Sequence, residues 1–214
     1  MHTFSFPHLY LLLELDDDSG LSLLPHYFAS LYGLAGAVVA ELQWQGLLVP
    51  VQADRFVLRL GESSLSGALA QGASALKDRK PLSIQQCIAR IPAHKIRTGF
   101  LEELVALGAL SHEQERFLLV FRRIRWRSEP DSPEATLIEH LQRHVTVTPR
   151  HSTPSREDLL ISLLRGTKLL GAVWSEEALE TEREAIEHCT DRAPIGRVVR
   201  RLVQAIEASL QIGG

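Results

Sequence analysis

Apolar residues recur along most of the chain at the three- and four-residue spacing of an amphipathic helix. Over residues 26–45 this spacing, with Phe28 among the apolar positions, predicts a long buried helix that Gly46 ends. Further helices are predicted over residues 64–76, 83–90, 93–107, 133–145, 155–170, 175–189 and 194–210. The pattern therefore predicts a mainly helical protein.

Three pairs of short apolar runs interrupt the helical pattern and predict β-hairpins. Residues 9–15 and 21–24 flank an Asp/Ser/Gly cluster and indicate a hairpin or an extended entry segment. Residues 47–51 and 55–60 predict a second hairpin. In the third, a polar turn is predicted at 111–115, before a strand that starts at Arg116 and extends to Arg127.

The predicted elements fit one mainly α domain over residues 1–214, with a central helix bundle and small β-hairpins. Residues 146–154 form the clearest linker. This segment is predicted to separate a helix-plus-hairpin half, residues 9–145, from a helical half, residues 155–210.

Composition narrows the class of protein. The 214 residues are 45% hydrophobic and 23% charged, as in ordinary globular domains. A net charge of −3 argues against a protein that coats nucleic acid non-specifically. Cys87 and Cys189 show no metal-ligand spacing and favour a reducing, cytoplasmic location. The apolar run 9–15 is too short to cross a bilayer and lacks the flanks of a signal peptide, so membrane contact is predicted to be peripheral.

No catalytic or cofactor motif is complete. His112-Glu113 lacks the second histidine of a zinc-protease helix. The segment 61–67 matches neither a serine elbow nor a phosphate-binding loop, and a helix N-cap explains its serines better. The acidic run 16–18 has no further ligands at calcium-loop spacing. We expect a protein that is not an enzyme and that holds no cofactor and no metal.

The most unusual local feature is a basic-aromatic run within the third hairpin, formed by Arg122, Arg123, Arg125, Trp126 and Arg127. Three explanations stay open: charged edge strands that block aggregation, contact with an anionic membrane, and phosphate contacts of a helix-wing DNA binder. Arg197, Arg200 and Arg201 share one face of the last predicted helix and are expected to be solvated.

Several segments, in this order, resemble a known family. They are the residues 11–20 (LLLELDDDSG), Gly33-Leu34-Ala35-Gly36 running into Ala40-Glu41-Leu42 and Gly46, the helix at 64–76, and residues 104–110 (LVALGAL) before 116–121 (RFLLVF). In that order they resemble segments of the Golgi phosphoprotein 3 family. Within that family, the chain resembles a bacterial-type member. The resemblance implies a mainly α-helical fold with small hairpins, and recognition of phosphatidylinositol 4-phosphate at a membrane surface.

The resemblance also implies where the headgroup would bind. The family's pocket tryptophan falls near His26, the arginine of its Gly-Leu-Arg-Gly box falls on Ala35, and two later arginines fall on His94 and Arg97. The headgroup contacts are therefore expected to be Arg97, His94 and His26. The family's membrane and self-association hairpin matches a hairpin formed by Phe117, Leu118, Leu119, Phe121, Arg122, Arg123, Arg125 and Trp126.

Together these observations predict a cytoplasmic, peripherally membrane-associated adaptor whose partner is an anionic phospholipid. An alternative is a protein-interaction or homo-oligomerising module that has kept the fold and lost the lipid. A helix-wing DNA binder is the least favoured hypothesis.

Overall fold

The computed structural model describes residues 4–16, 19, 21–24, 27–60, 65–77, 80–117, 121–147 and 153–212, with the backbone alone described at 114–117, 121–123 and 210–212. Its elements are α1 (Phe6–Glu14), α2 (Tyr27–Trp44), β1 (Leu48–Gln52), β2 (Arg55–Leu58), α3 (Gly67–Ser74), α4 (Ile84–Arg90), α5 (Ala93–Ala106), β3 (Leu110–Phe117), β4 (Phe121–Ser128), α6 (Glu134–Val147), α7 (Arg156–Gly166), a 3-10 turn (Leu170–Ala172), α8 (Glu176–Thr181), α9 (Arg183–Arg192) and α10 (Ile195–Ile212).

The first apolar run forms the helix α1, so the predicted hairpin or extended segment over 9–15 is wrong. Every residue of α1 is buried, and a short run that is apolar on all sides carries no periodicity that separates a buried helix from a strand. The local sequence favours the helix, because Pro7 lies in its first turn and the backbone N–H of Ser5 donates to His8 Nδ1 at 3.2 Å. After α1 the chain reverses direction, and Leu15 and Ser22 form an isolated antiparallel bridge.

The helix α2 forms the centre of the bundle, as the sequence predicts, and contacts α1, α4, α5, α7 and α10. It ends at a left-handed Gly46 with φ of +69°. The N–H groups of Gly46 and Leu47 donate to the carbonyls of Gln43 and Leu42, which is the hydrogen-bond pair of a Schellman motif. Not all of α2 is buried: Phe28 is 43% and Trp44 is 48% exposed.

Both later hairpins are present as antiparallel two-stranded sheets. β1 and β2 match the predicted second hairpin. The polar turn predicted at 111–115 is wrong, because these residues belong to β3 and pair with residues 123–127 of β4. Within the described ranges β3 pairs with β4 alone and is not a central strand of a larger sheet, which allows polar and charged residues to fill it.

The remaining helices lie close to their predicted positions. Ser83 and Ser155 cap α4 and α7, each accepting a hydrogen bond from the backbone N–H three residues later. The segment predicted as one helix over 175–189 divides at Glu182 into α8 and α9. Thr146 and Val147, predicted to begin a linker, belong to α6.

The prediction of a mainly α-helical fold with a central bundle and small hairpins is confirmed. One buried apolar cluster runs through α1, α2, α5, α7 and α10. Within the described ranges, each helix falls short of the length or the apolarity that a bilayer-spanning helix requires.

Candidate functional site

A groove lies where the family resemblance places the lipid headgroup. It has a volume of about 200 Å³ and runs between α2, α4 and the start of α5. Ala35 and His94, two of the four headgroup positions, both line it. The other lining residues are Phe28, Leu31, Tyr32, Ile88, Ala89, Ile91 and Ala93. The groove is therefore largely apolar, with an exposed imidazole at its edge.

Arg97, the third headgroup position, lies one turn of α5 beyond His94 and makes an internal ion pair. Its Nη1 donates to Glu14 Oε2 at 2.5 Å and to Ser30 Oγ at 2.9 Å. The Glu14 side chain is fully buried and that of Arg97 is 16% exposed. The fourth position, His26, lies outside the described residues.

The two glycines of the Gly33-Leu34-Ala35-Gly36 box have a packing role in this chain. A Cβ on Gly33 would lie 2.0 Å from Tyr10 Oη of α1. A Cβ on Gly36 would lie 2.7 Å from Val199 Cγ2 of α10. Both distances are far inside van der Waals contact, so the glycines set how closely α1 and α10 approach α2.

Exposed aromatic and cationic residues line the groove or directly adjoin its lining residues in the chain. Tyr27 and Phe28, in the first turn of α2, are 58% and 43% exposed. Arg90 follows the groove residue Ala89, Lys95 follows His94, and both are exposed. The apolar spacing of residues 26–45 predicts Phe28 on a buried helix face, and this exposed rim contradicts that prediction. A signal was available, because adjacent residues on a helix point about 100° apart, so Tyr27 and Phe28 do not share one helix face.

The surface of the third hairpin is less uniformly basic than its arginine content suggests. Its register places Glu113 opposite Arg125 and Glu115 opposite Arg123. The guanidinium of Arg127 also lies 3.5 Å from the carboxylate of Glu113. Opposite charges therefore face each other at two cross-strand positions, which is typical of a protected strand pair, while Arg116 lies opposite Arg122 at a third.

Trp126 is half-buried against the apolar core, and its ring lies 5.5 Å from that of His112. Arg125 is half-buried. The other predicted hairpin residues are described by backbone alone or lie outside the described residues: Phe117, Phe121, Arg122 and Arg123 in the first group, Leu118 and Leu119 in the second.

A buried polar cluster that the sequence did not reveal joins α6, α7 and α9. His144 Nε2 lies 3.0 Å from Asp158 Oδ1, Arg192 Nη2 donates to the same oxygen at 2.8 Å, and the Ser155 N–H donates to Oδ2 at 2.9 Å. Cys189 completes a set of three potential metal ligands within 4.8 Å of one another. The permanent charge of Arg192 already neutralises the carboxylate, which makes the cluster a structural ion-pair network.

The ionisation of this cluster fits that role. Burial acts to raise the pKa of Asp158, but hydrogen bonds from His144 and Ser155 and the charge of Arg192 lower it overall. Burial and the adjacent Asp158 raise the pKa of Cys189 to about 11. A thiol with that pKa stays protonated at neutral pH and is a poor nucleophile.

One of two comparisons with known proteins gave a match. A comparison with curated proteins gave no match. A model of the Golgi phosphoprotein 3 family, which is not an enzyme family, matches residues 7–206, from the first helix to the last. The chain therefore belongs to the Golgi phosphoprotein 3 family.

Proposed function

We propose that this protein is a peripheral membrane adaptor that binds phosphatidylinositol 4-phosphate or another anionic lipid headgroup. Membership of the Golgi phosphoprotein 3 family supports an adaptor or lipid-binding role. The proposed contact surface, called the groove face below, consists of Tyr27, Phe28, Arg90, His94 and Lys95 around the groove.

The observation that carries the proposal is the pair of exposed aromatic residues beside exposed cations. Tyr27 and Phe28 are among the most exposed large apolar residues of the described chain. Aromatic rings are favoured at the depth of lipid headgroups. A cation near an anionic surface contributes about 1 kcal/mol, so Arg90 and Lys95 add attraction that depends on lipid charge.

The headgroup itself is proposed to contact His94 and Arg97. His94 lies at the surface and can donate to a phosphate oxygen without any change in the fold. Arg97 must share its guanidinium between Glu14 and the headgroup, because the buried carboxylate already holds one of its nitrogens. Ala35 offers no charge, so we expect binding to follow the negative charge of the surface more than the position of the phosphate on the inositol ring.

The third hairpin is proposed as a secondary contact. Between residues 110 and 128 it carries five arginines and two glutamates, which leaves a local excess of positive charge. Arg122 and Arg123 lie at one end of β4, where an anionic surface can attract them. The cross-strand glutamates reduce that attraction relative to an unpaired arginine run.

Vesicle sedimentation tests the proposal. Vesicles of phosphatidylcholine alone are compared with vesicles that contain phosphatidylserine or phosphatidylinositol 4-phosphate at equal total negative charge, in about 0.1 M salt where surface charges still act. We expect both anionic vesicles to sediment the protein and neutral vesicles to leave it in solution. Equal sedimentation by neutral and anionic vesicles would refute the proposal.

A matched pair of variants tests the groove face. Phe28→Ser removes an exposed aromatic from the face, and Leu107→Ser removes an equally exposed apolar residue at the end of α5, since each residue is 43% exposed. We expect Phe28→Ser to weaken binding to anionic vesicles and Leu107→Ser to leave it unchanged. Equal loss in both variants would count against this face.

Self-association through the third hairpin is a second candidate function. Among the described residues, β3 and β4 pair only with each other, so each strand has one edge available for pairing with another copy. Light scattering on the wild type and on Leu118→Asp tests this candidate. An oligomer that the substitution disrupts supports it, and an unchanged mass contradicts it.

A further inference from the structure

A second concave site, separate from the groove, opens between α7, α9 and α10. Its volume is about 230 Å³. The lining residues that matter here are Arg165, Gly166, Thr190, Gly196, Arg197 and Arg200. Among the residues that the structure describes, none lines both this cleft and the groove. The arginines come from two different helices, so the fold brings together charges that the sequence separates by 32 to 35 positions.

Close backbone packing brings these arginines together. A Cβ on Gly166 would lie 2.5 Å from the carbonyl oxygen of Gly196, and a Cβ on Gly196 would lie 1.8 Å from that of Ser162. The glycines allow α7 and α10 to touch backbone to backbone. Arg165 of one helix and Arg197 and Arg200 of the other therefore line one opening.

The three guanidinium groups are held to different degrees. Arg165 is fixed, because its Nη1 donates to Thr190 Oγ1 at 2.6 Å and its Nη2 donates to Glu187 Oε1 at 3.1 Å. Arg197 Nη1 is 3.8 Å from Asp191 Oδ1, and both side chains are more than half exposed. Such a pair is screened by water and salt and contributes little.

Arg200 is exposed, and within the part of the chain that the structure describes its side chain has neither a hydrogen bond nor an ion pair. The guanidinium groups of the cleft therefore differ: that of Arg165 is positioned by hydrogen bonds, that of Arg197 is weakly held, and that of Arg200 is available to a ligand. The acidic residues that pair with these arginines are Asp191 and Glu187, so the three arginines and two acids leave the cleft with a net positive charge. Planar guanidinium groups match the geometry of phosphate oxygens, with two parallel hydrogen bonds to each group.

We propose that this cleft binds the phosphate of a phosphomonoester, with Arg200 and Arg197 as its contacts and Arg165 as a fixed charge behind them. The phosphate displaces Asp191 from Arg197 and gains charge-assisted hydrogen bonds from both arginines. Two sources share this chemistry: a phosphorylated lipid headgroup and a soluble phosphomonoester.

Thermal unfolding with inorganic phosphate, against sodium chloride at equal ionic strength, tests the site. A ligand that binds the folded state alone raises the unfolding temperature. We expect phosphate to stabilise the wild type, and Arg200→Ala to weaken the apparent affinity roughly tenfold or more, the loss of a charge-assisted contact. The control is Arg201→Ala, which removes an exposed arginine of α10 outside the cleft and is expected to keep the wild-type response.

Equal phosphate stabilisation in the wild type and Arg200→Ala overturns the proposal, as does a wild type that responds to phosphate no more than to chloride. Two further probes separate the sources, glycerol phosphate and vesicles with phosphatidylinositol 4-phosphate. A weaker response of Arg200→Ala to glycerol phosphate alone supports a soluble ligand, and weaker vesicle binding supports a headgroup. Phe28→Ser must keep the phosphate response, which makes this test independent of the groove face.

Discussion

Replacement of Arg97 by alanine is expected to destabilise the fold before it affects any lipid. The Arg97 guanidinium is the charge partner of Glu14, whose carboxylate is fully buried between α1 and the rest of the bundle. Ser22 Oγ donates to the other oxygen of that carboxylate, and Arg97 also donates to Ser30. Arg97→Ala therefore removes the counter-charge that the structure shows for this buried carboxylate.

The expected cost follows from that geometry. Removal of one member of a buried ion pair costs about 3–5 kcal/mol, because the remaining charge is not solvated. For a chain of this length, that loss corresponds to a decrease of roughly 6–20 °C in the unfolding temperature. Arg97→Lys keeps the charge but loses part of the fork geometry, and we expect it to cost about 1 kcal/mol, the value of one hydrogen bond.

Urea unfolding of four proteins measures the effect: the wild type, Arg97→Ala, Glu14→Gln and the double variant. Glu14→Gln in the Arg97→Ala background removes the unpaired charge, so it should recover part of the lost free energy of unfolding. The expected coupling free energy is about 0.5–3 kcal/mol. An Arg97→Ala protein within about 1 kcal/mol of the wild type would refute the reasoning, because a buried pair cannot cost so little to break.

This outcome decides how the headgroup site is tested. A loss of membrane binding in Arg97→Ala would combine unfolding with any loss of headgroup contact. Substitutions at exposed positions of the groove face, such as Phe28 and His94, separate the two effects because they leave the Glu14 carboxylate paired.

Other predictions follow from packing and ionisation. Gly33→Ala should cost about 3 kcal/mol in free energy of unfolding, since its Cβ would meet Tyr10, whereas Gly171→Ala, with open space around it, should be neutral. At neutral pH, Asp158→Asn should cost about 3–5 kcal/mol in urea unfolding. Because the pKa of Asp158 is lowered in the folded state, its contribution is present at neutral pH and is lost as the pH falls below about 4, so the variant should show a flatter stability decline there. Burial raises the pKa of Cys87 to about 11, so iodoacetamide at neutral pH should modify this thiol in the folded protein at less than about 1% of the unfolded rate.

The sequence predicted the elements whose signals are local. The sequence predicted α2 and the end of α5 correctly because a glycine follows each periodic apolar stretch. These glycines, Gly46 and Gly108, have positive φ in the structure. The same plan of a helix, a glycine stop and a hairpin occurs twice in the chain. The helix α1 was missed because its apolar residues face the core on all sides, so neither the helical nor the strand period shows.

The candidate site depended on contacts that no local pattern shows. Arg97 and Glu14 are separated by 83 positions, and only the fold pairs them. The glycine box resembles a ligand-binding motif, but here its glycines fit against Tyr10 and Val199. Register likewise changed the interpretation of the third hairpin, because cross-strand glutamates cannot be located until the turn position is known.

The most direct test of the central claim is vesicle sedimentation of the wild type, Phe28→Ser and Leu107→Ser with neutral and anionic vesicles. The account predicts that anionic vesicles bind the wild type and Leu107→Ser, that Phe28→Ser binds more weakly, and that neutral vesicles bind none of the three. Wild-type binding that does not respond to lipid charge, or equal binding by Phe28→Ser and Leu107→Ser, would contradict a role of the groove face in recognition of anionic membranes.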